Sequence, residues 1–431
     1  MSKQYINATT AEVYETPNGK KRSMLLIFGD EVETTGLPKD KLIPVKYRNR
    51  AGYIDKNKLG SKPALEIYFI DVGQGDSTFI ITPNRKKILI DGGINHRALG
   101  FLAWKYRLDL KESPDVDIDL LVLSHADADH LEGLIPIVGH PKIIVKKVIH
   151  SGIATFKSDV YKTELGNLNE NGEYLITYIK QLSDLTNLKL SKNFSAWQKV
   201  LTNENVPYQA VSALDKTFDI SDPDITIDII NPILKSPNNP PALQWFKDKS
   251  HTINGHSVVL RLNYNKVSVL LTGDINKQSS EIMLADPILK TKLSAHVLKT
   301  PHHGSQDFAD DFLKAVRPQI SVISSGDEGK YGHPRAIFIG SVGKDSRSDS
   351  PLVFSTEIAA AFVEEGEKKE KSTSLKGEDF KTVKANAKAR KVFKQRLHGM
   401  INIRSDGQKL YAFRRIMGSS PWEQYCQTPA I

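Results

Sequence analysis

The stretch LLVLSHADADHLEG, residues 120–133, constrains this chain more than any other. Residues 120–124 read as a buried strand, and the chain then presents His125, Asp127, Asp129 and His130 within six residues. Two carboxylates and two imidazoles at the end of an apolar stem repel and desolvate badly if left unpaired. One or two divalent cations neutralise the carboxylates and use the imidazole lone pairs. The plain alternative is a polar, solvated loop; the rest of the chain argues against it by supplying further ligand-type residues.

Those residues come at strand ends. LEIYFIDVGQGDSTFIIT reads as two strands around a glycine turn holding Asp71 and Asp76, and KKILIDGG as a strand ending at Asp91. Residues 142–149 read as one strand, with His150 a surface histidine at its end. Residues 257–262 and 267–272 form an expected hairpin that runs into Gly273 and Asp274, with His256 just ahead of it. HVLKTPHHGSQD places His302, His303 and Ser305 after another short strand. A helix marked by Phe308, Phe312, Leu313 and Val316 and a strand over 320–324 then lead into SSGDEGKYGHP, which carries Ser324, Tyr331 and His333.

Between these points the sequence says less. Residues 174–185 and 194–201 have helical apolar spacing, 225–230 alternates as a strand, and 231–242 is too proline-rich for a regular element. Elaborated loops over a site are expected there. From residue 364 the chain turns strongly polar, and a basic amphipathic helix is expected over 380–397, followed by a hairpin through Asp406 and Gly407. Residues 1–60 read as small and all-β, with strand-like runs at 12–14, 23–28, 43–47 and 52–54.

Composition narrows the class. The one cysteine, Cys426, can make neither an internal disulfide nor a cysteine metal cluster. No apolar run approaches the ~20 residues of a membrane helix, and MSKQYINATT lacks the apolar core of a signal peptide. A soluble, cytoplasmic protein without membrane contact is expected. The net charge of +9 accords with a polyanionic partner without requiring one.

The phrases H-x-D-x-D-H, D-V-G-Q-G-D, T-G-D, H-H-G-S and Y-G-H-P together resemble the metallo-β-lactamase superfamily, in its ComEC-like branch. GDEVETTG followed by IPVKYRNRAGYIDKNKLG resembles a bacterial SH3-like barrel. The resemblance implies an α/β chain: a small all-β SH3-like domain over 1–60, then an αββα sandwich hydrolase over 65–431. It implies two divalent metals, with His125 and Asp127 on one, Asp129, His130 and His303 on the other, and Asp274 between. His256 lies near the superfamily's third metal histidine, but Asn254 and Ser257 match the branch's Asn-x-x-Ser, so both readings stand. Asp in place of the usual second His hardens the site, which suits Mn²⁺ or Mg²⁺ better than an all-imidazole site would and still admits Zn²⁺. Asp71, Asp76 and Asp91 would support the ligands. Asp129 would also orient the attacking water, and His302 would face the substrate. His333 would hold the phosphate or protonate the leaving oxygen. Ser305, Ser324 and Tyr331 would contact the substrate.

The function so implied is a DNA nuclease or phosphodiesterase using a two-metal-activated water, in DNA processing or in phage defence under the control of a protein partner bound by the SH3-like domain. The alternatives are a phosphodiesterase of phosphocholine esters or cyclic nucleotides and a non-catalytic scaffold.

Overall fold

Strands that are apolar at every position need a hydrophobic layer on both faces, and this chain has two sheets of them. The computed structural model describes residues 2–235, 241–326, 332–359, 396–415 and 422–430. Leu120 and Val122 point into a core between the two sheets, and Leu121 and Leu123 point to a helix-covered core on the other side. In the second sheet Val267, Val269 and Leu271 share the inter-sheet core while Leu270 faces an outer one. Period-two alternation thus feeds three cores stacked in sequence, the condition for a helix–sheet–sheet–helix sandwich.

Among the described residues the first sheet has nine strands and the second seven. Each is antiparallel in one half and parallel in the other. In the first, Lys87–Ile90, Leu120–Leu123, Val148–His150 and Tyr208–Ala210 run parallel. In the second, Val267–Leu271, Val297–Lys299, Ile320–Ile323 and Leu352–Ser355 do so. Helices Arg97–Tyr106 and Lys192–Asn203 cover the first sheet with Phe101, Leu102, Phe194 and Trp197. Helices Lys277–Ala285, Asp310–Val316 and Ala336–Lys344 cover the second with Met283, Phe312 and Phe338.

Residues 2–60 form a separate seven-stranded antiparallel sheet, from Arg22–Ile27 at one edge to Leu59–Gly60 at the other, around Ile6, Val13, Leu26, Val45 and Ile54. It meets the sandwich through Arg48, whose guanidinium lies 3.5 Å over the Trp104 ring, and through buried charges around Arg404.

Several expectations need correction. Residues 142–149 are two strands: Ile143–Val145 pairs with Val116–Ile118, and Val148–His150 enters the main sheet. The break falls at Lys146, whose ammonium pairs with Asp117 and Asp119 and cannot enter the core. His150 is buried, not a surface residue; its ring stacks on Tyr208 at 3.8 Å and its Nδ1 accepts the Gly152 N–H. The helix expected over 174–185 is replaced by strand Tyr174–Leu175 and the 3₁₀ turn Leu182–Leu185, closed by Gln181 and Asp184. The expected C-terminal hairpin forms from Ile401–Ser405 and Leu410–Arg415, and Trp422–Gln427 adds a further strand to it. The polar stretch and most of the basic helix lie outside the described residues, as does Tyr331; at the helix's expected end, Arg396–His398 is a strand paired with Glu357–Ala359.

Candidate metal centre

The parallel halves of both sheets end at the same place, so the segments after their carboxyl ends converge, the usual location of a site in open α/β sheets. Asp91 follows Lys87–Ile90, His125 follows Leu120–Leu123, Asp274 follows Val267–Leu271, and His302 and His303 follow Val297–Lys299.

Each of three imidazoles is held by its Nδ1, so that Nε2 faces inward. His130 Nδ1 lies 2.8 Å from Asp91 Oδ2, and the same carboxylate accepts the Ser124 N–H at 2.8 Å and the Ser124 hydroxyl at 2.6 Å. His303 Nδ1 donates to the Ser324 carbonyl at 2.9 Å. His125 Nδ1 lies 3.0 Å from Ser124 Oγ and 3.3 Å from Ser257 Oγ. The Nε2 atoms of all three are buried without a hydrogen-bond partner. Asp274 Oδ2 stands 3.3 Å from His130 Nε2 and 2.9 Å from His303 Nε2. Two groups, His125–His130–Asp274 and Asp129–His130–His303, bring their ligand atoms within 4.8 Å of one another. Orphaned imidazole nitrogens facing carboxylates fit a divalent cation, with the Asp91–His130 contact fixing the tautomer.

The electrostatics agree. Burial pushes the His303 imidazole down, but Asp274 and Asp76 outweigh it and lift it to about 10. Burial likewise lowers His130, and Asp274 and Asp91 reverse it to well above the usual value. His125, depressed by burial and by His130, keeps its lone pair free. Burial, reinforced by Asp129, raises Asp127 to about 6. A cation displaces such protons, so loading is expected to strengthen with pH, by roughly tenfold per pH unit for each proton released. Between pH 8 and 6 His303 and His130 each supply a proton; below about 6 Asp127 adds a third and the fall steepens. Metal content after equilibrium dialysis from pH 8 to 5 reads this directly; a flat profile contradicts it.

A cavity of about 340 Å³ opens on the cluster, lined by Asp127, Asp129, Asp274 and His303 on one side and by Asn254, His302, Ser325 and His333 among others. His302, at φ 44°, stands 3.5 Å from Asn254 Nδ2. Its ring lies 5.5 Å from that of His333. Burial lowers both imidazoles, His333 to about 4.

Other expected residues are placed elsewhere. His256 does not join the cluster: it caps helix Lys249–Gly255, its ring stacks on Phe246 at 5.0 Å, and its Nε2 engages the Gln244 carbonyl at 2.8 Å. Asp71 faces Arg97 at 3.5 Å and accepts the Gly73 N–H, holding the glycine turn. Ser305 uses its hydroxyl to accept the Asp307 N–H, and Ser324 is buried beneath His303; Ser325 and Gly326 are the residues that reach the cavity. Asp76 is buried against Lys299, a residue absent from the expected site. A lone charge inside the otherwise apolar strand Val297–Lys299 was the available signal.

The D-V-G-Q-G-D turn packs directly on the metal-motif backbone. Gly75 has φ +96°, and a Cβ there would sit 1.9 Å from the Asp129 carbonyl oxygen. Gly75→Ala must therefore push the Asp129 loop away, and displacements of ~1 Å cost on the order of 10²-fold in rate. Hydrolysis of bis-p-nitrophenyl phosphate by this variant is expected to fall by about that factor.

Residues 70–181 match the family model described as "Metallo-beta-lactamase superfamily". The chain is 24% identical to ComE operon protein 3 of Bacillus subtilis (strain 168), over 62% of this chain and 29% of that one. It is 25% identical to Recombination protein 2 of Haemophilus influenzae, over 62% of this chain and 25% of the relative. A shorter match, 37% identical over 19% of this chain and 12% of the relative, is to Competence protein ComA of Neisseria gonorrhoeae. The matches thus span less than a third of each relative's length. Among the described residues no helix is long and apolar enough to cross a membrane.

Proposed function

We propose that this chain, whose residues 70–181 match a metallo-β-lactamase superfamily model, is a divalent-metal phosphodiesterase acting on DNA. The observation that carries the reading is the convergence of three inward Nε2 atoms on the Asp274 carboxylate, next to an open cavity that Asp274 and His303 line. The names of the relatives, a competence protein and a recombination protein, point to DNA as the phosphodiester.

His125, Asp127, Asp129, His130, Asp274 and His303 would hold divalent cations, which would supply an acidified water and positive charge against the phosphoryl oxygens. The chain's own groups do the rest. Asp129, on the cavity wall, orients the water, and Asp91 keeps His130 in its ligating tautomer. His302 and His333, kept neutral by burial, each offer a ring N–H to the phosphate across the cavity. Ser325 Oγ donates to the His333 carbonyl at 2.9 Å and holds that segment in place. The N-terminal sheet, with its own core, is in this reading a separate domain that docks a partner.

The test is cleavage of supercoiled plasmid and of linear single- and double-stranded DNA with Mn²⁺, Mg²⁺ or Zn²⁺, beside Asp129→Ala. Metal-dependent cutting that the variant lacks is the expected result. The cavity volume also suits a small ligand, the second reading; hydrolysis of bis-p-nitrophenyl phosphate or a cyclic nucleotide without DNA cutting would select it. Inertness toward all of these would leave a scaffold.

A further inference from the structure

One fully buried cation stands inside the cluster without a part in the reaction described. Lys299 ends strand Val297–Lys299 with its ammonium paired to Asp76, 3.5 Å from Asp274 Oδ1 and donating to the Gly273 carbonyl at 2.8 Å. Asp76, Asp274 and His303 are themselves a buried group whose ligand atoms lie within 4.8 Å of one another, the same spacing as the two groups assigned to metal above. We propose that Lys299 is a positioning residue that occupies this further ligand group with its own charge, so that the centre accepts two divalent cations and the Asp274 carboxylate keeps one orientation.

Three observations carry this. The ammonium already lies among the oxygens that an additional cation would need. It also divides Asp274: Oδ1 faces Lys299, leaving Oδ2 toward His130 and His303. A carboxylate free to rotate would offer either oxygen and lose that direction. Charge is the third. Asp76, Asp91, Asp127, Asp129 and Asp274 with one ammonium leave four negative charges, which two divalent cations neutralise; without Lys299 the fifth would attract another cation. A lysine suits the place because its slender stem reaches through the packed strand end and presents a point charge, whereas a guanidinium fork needs planar space.

The inference rests on the metal reading, and metal content separates the two. Full-length wild type, Lys299→Met and Lys299→Met/Asp76→Asn are loaded with Mn²⁺, dialysed, and assayed for metal per chain by mass spectrometry. Wild type is expected to hold two. Lys299→Met is expected to hold a third, which the double variant loses because the carboxylate that draws it is gone. Wild type without metal would remove the metal reading and the inference together. Wild type with two and Lys299→Met also with two, at unchanged affinity, would overturn the inference alone. If Lys299→Met is unfolded as purified, it is titrated with Mn²⁺ while helicity is followed. Folding driven by the cation supports the substitution of one charge for another, and failure to fold at any concentration overturns it.

Discussion

Asp274→Ala is expected to lower phosphodiester hydrolysis by at least about 10³-fold, beyond the loss that follows removal of one transition-state hydrogen-bond donor. It should also drop metal content from two per chain to one or fewer. The carboxylate is placed by packing: Gly273 holds φ +52°, and a Cβ on it would meet Ser257 at 2.7 Å, so the turn into Asp274 admits little variation. The Asp274 N–H donates to Ser257 Oγ at 3.0 Å, which locks the backbone beneath the side chain. Burial raises this carboxyl, but His303, His130 and Lys299 outweigh it and hold it well below the usual carboxylate range. Three cationic or cation-binding groups therefore lose their common partner at once, and a buried charge left unpaired costs several kcal/mol. Asp274→Asn separates shape from charge: it retains the volume, and its metal content should still fall. Metal per chain and kcat/KM of bis-p-nitrophenyl phosphate are the readouts. An alanine variant with a tenth of wild-type activity would place the chemistry elsewhere.

Glu66→Gln is expected to destabilise the fold by about 3–5 kcal/mol, the cost of removing one partner from a buried ion cluster. Glu66 sits on strand Leu65–Phe69 opposite Arg404 of Ile401–Ser405, and both side chains are almost wholly buried. Its carboxylate meets Arg404 at 2.6 Å, Arg85 at 2.8 Å and Lys105 at 3.3 Å. Arg404 reaches on to Asp30 at 3.3 Å, and Arg85 to Glu31 at 3.1 Å, so the cluster ties the N-terminal sheet to the sandwich. Burial raises the Glu66 carboxyl, and Lys105, Arg404 and Arg85 overcome it and hold it far below the normal range. The folded state therefore binds this proton less readily than the unfolded chain. Its stabilisation is complete above the unfolded value near about 4.3 and is lost as pH falls toward the folded one. Asp30 has the opposite sign, since burial raises it despite Arg404. Comparing wild type with Glu66→Gln cancels Asp30 to first order. Urea unfolding at pH 7 and pH 3 should show the gap between them narrowing in acid; a constant gap would exclude Glu66 as its source.

Much of this protein is legible from short stretches. The strand under the HADADH motif, the turn into Thr272–Gly273–Asp274 and the C-terminal hairpin are all local patterns of alternation and turn chemistry, and the structure has elements at each. Helix Lys192–Asn203 follows from its apolar spacing in the same way. The misreadings share a cause. Residues 174–185 have helical spacing, yet Leu175 and Leu185 serve a core built by distant elements. His150 has nothing local to mark it as buried; the Tyr208 ring that covers it arrives from a strand far along the chain.

The sequence by itself determined which chemistry is on hand and at which strand ends, because ligand-type residues cluster within a few positions and the apolar stems that carry them repeat with period two. Only the tertiary structure decided how those residues divide. His125, His130 and His303 each turn Nε2 inward because the Ser257 hydroxyl, the Asp91 carboxylate and the Ser324 carbonyl, all from other segments, meet their Nδ1 atoms. His256, inside the Asn254-x-x-Ser257 stretch, is spent on a carbonyl and an aromatic ring. Asp71 and Asp76 lie in one turn, but the first pairs with Arg97 at the surface and the second with Lys299 in the core. Such pairings form across sheets, where sequence separation carries no information and packing alone sets which groups meet.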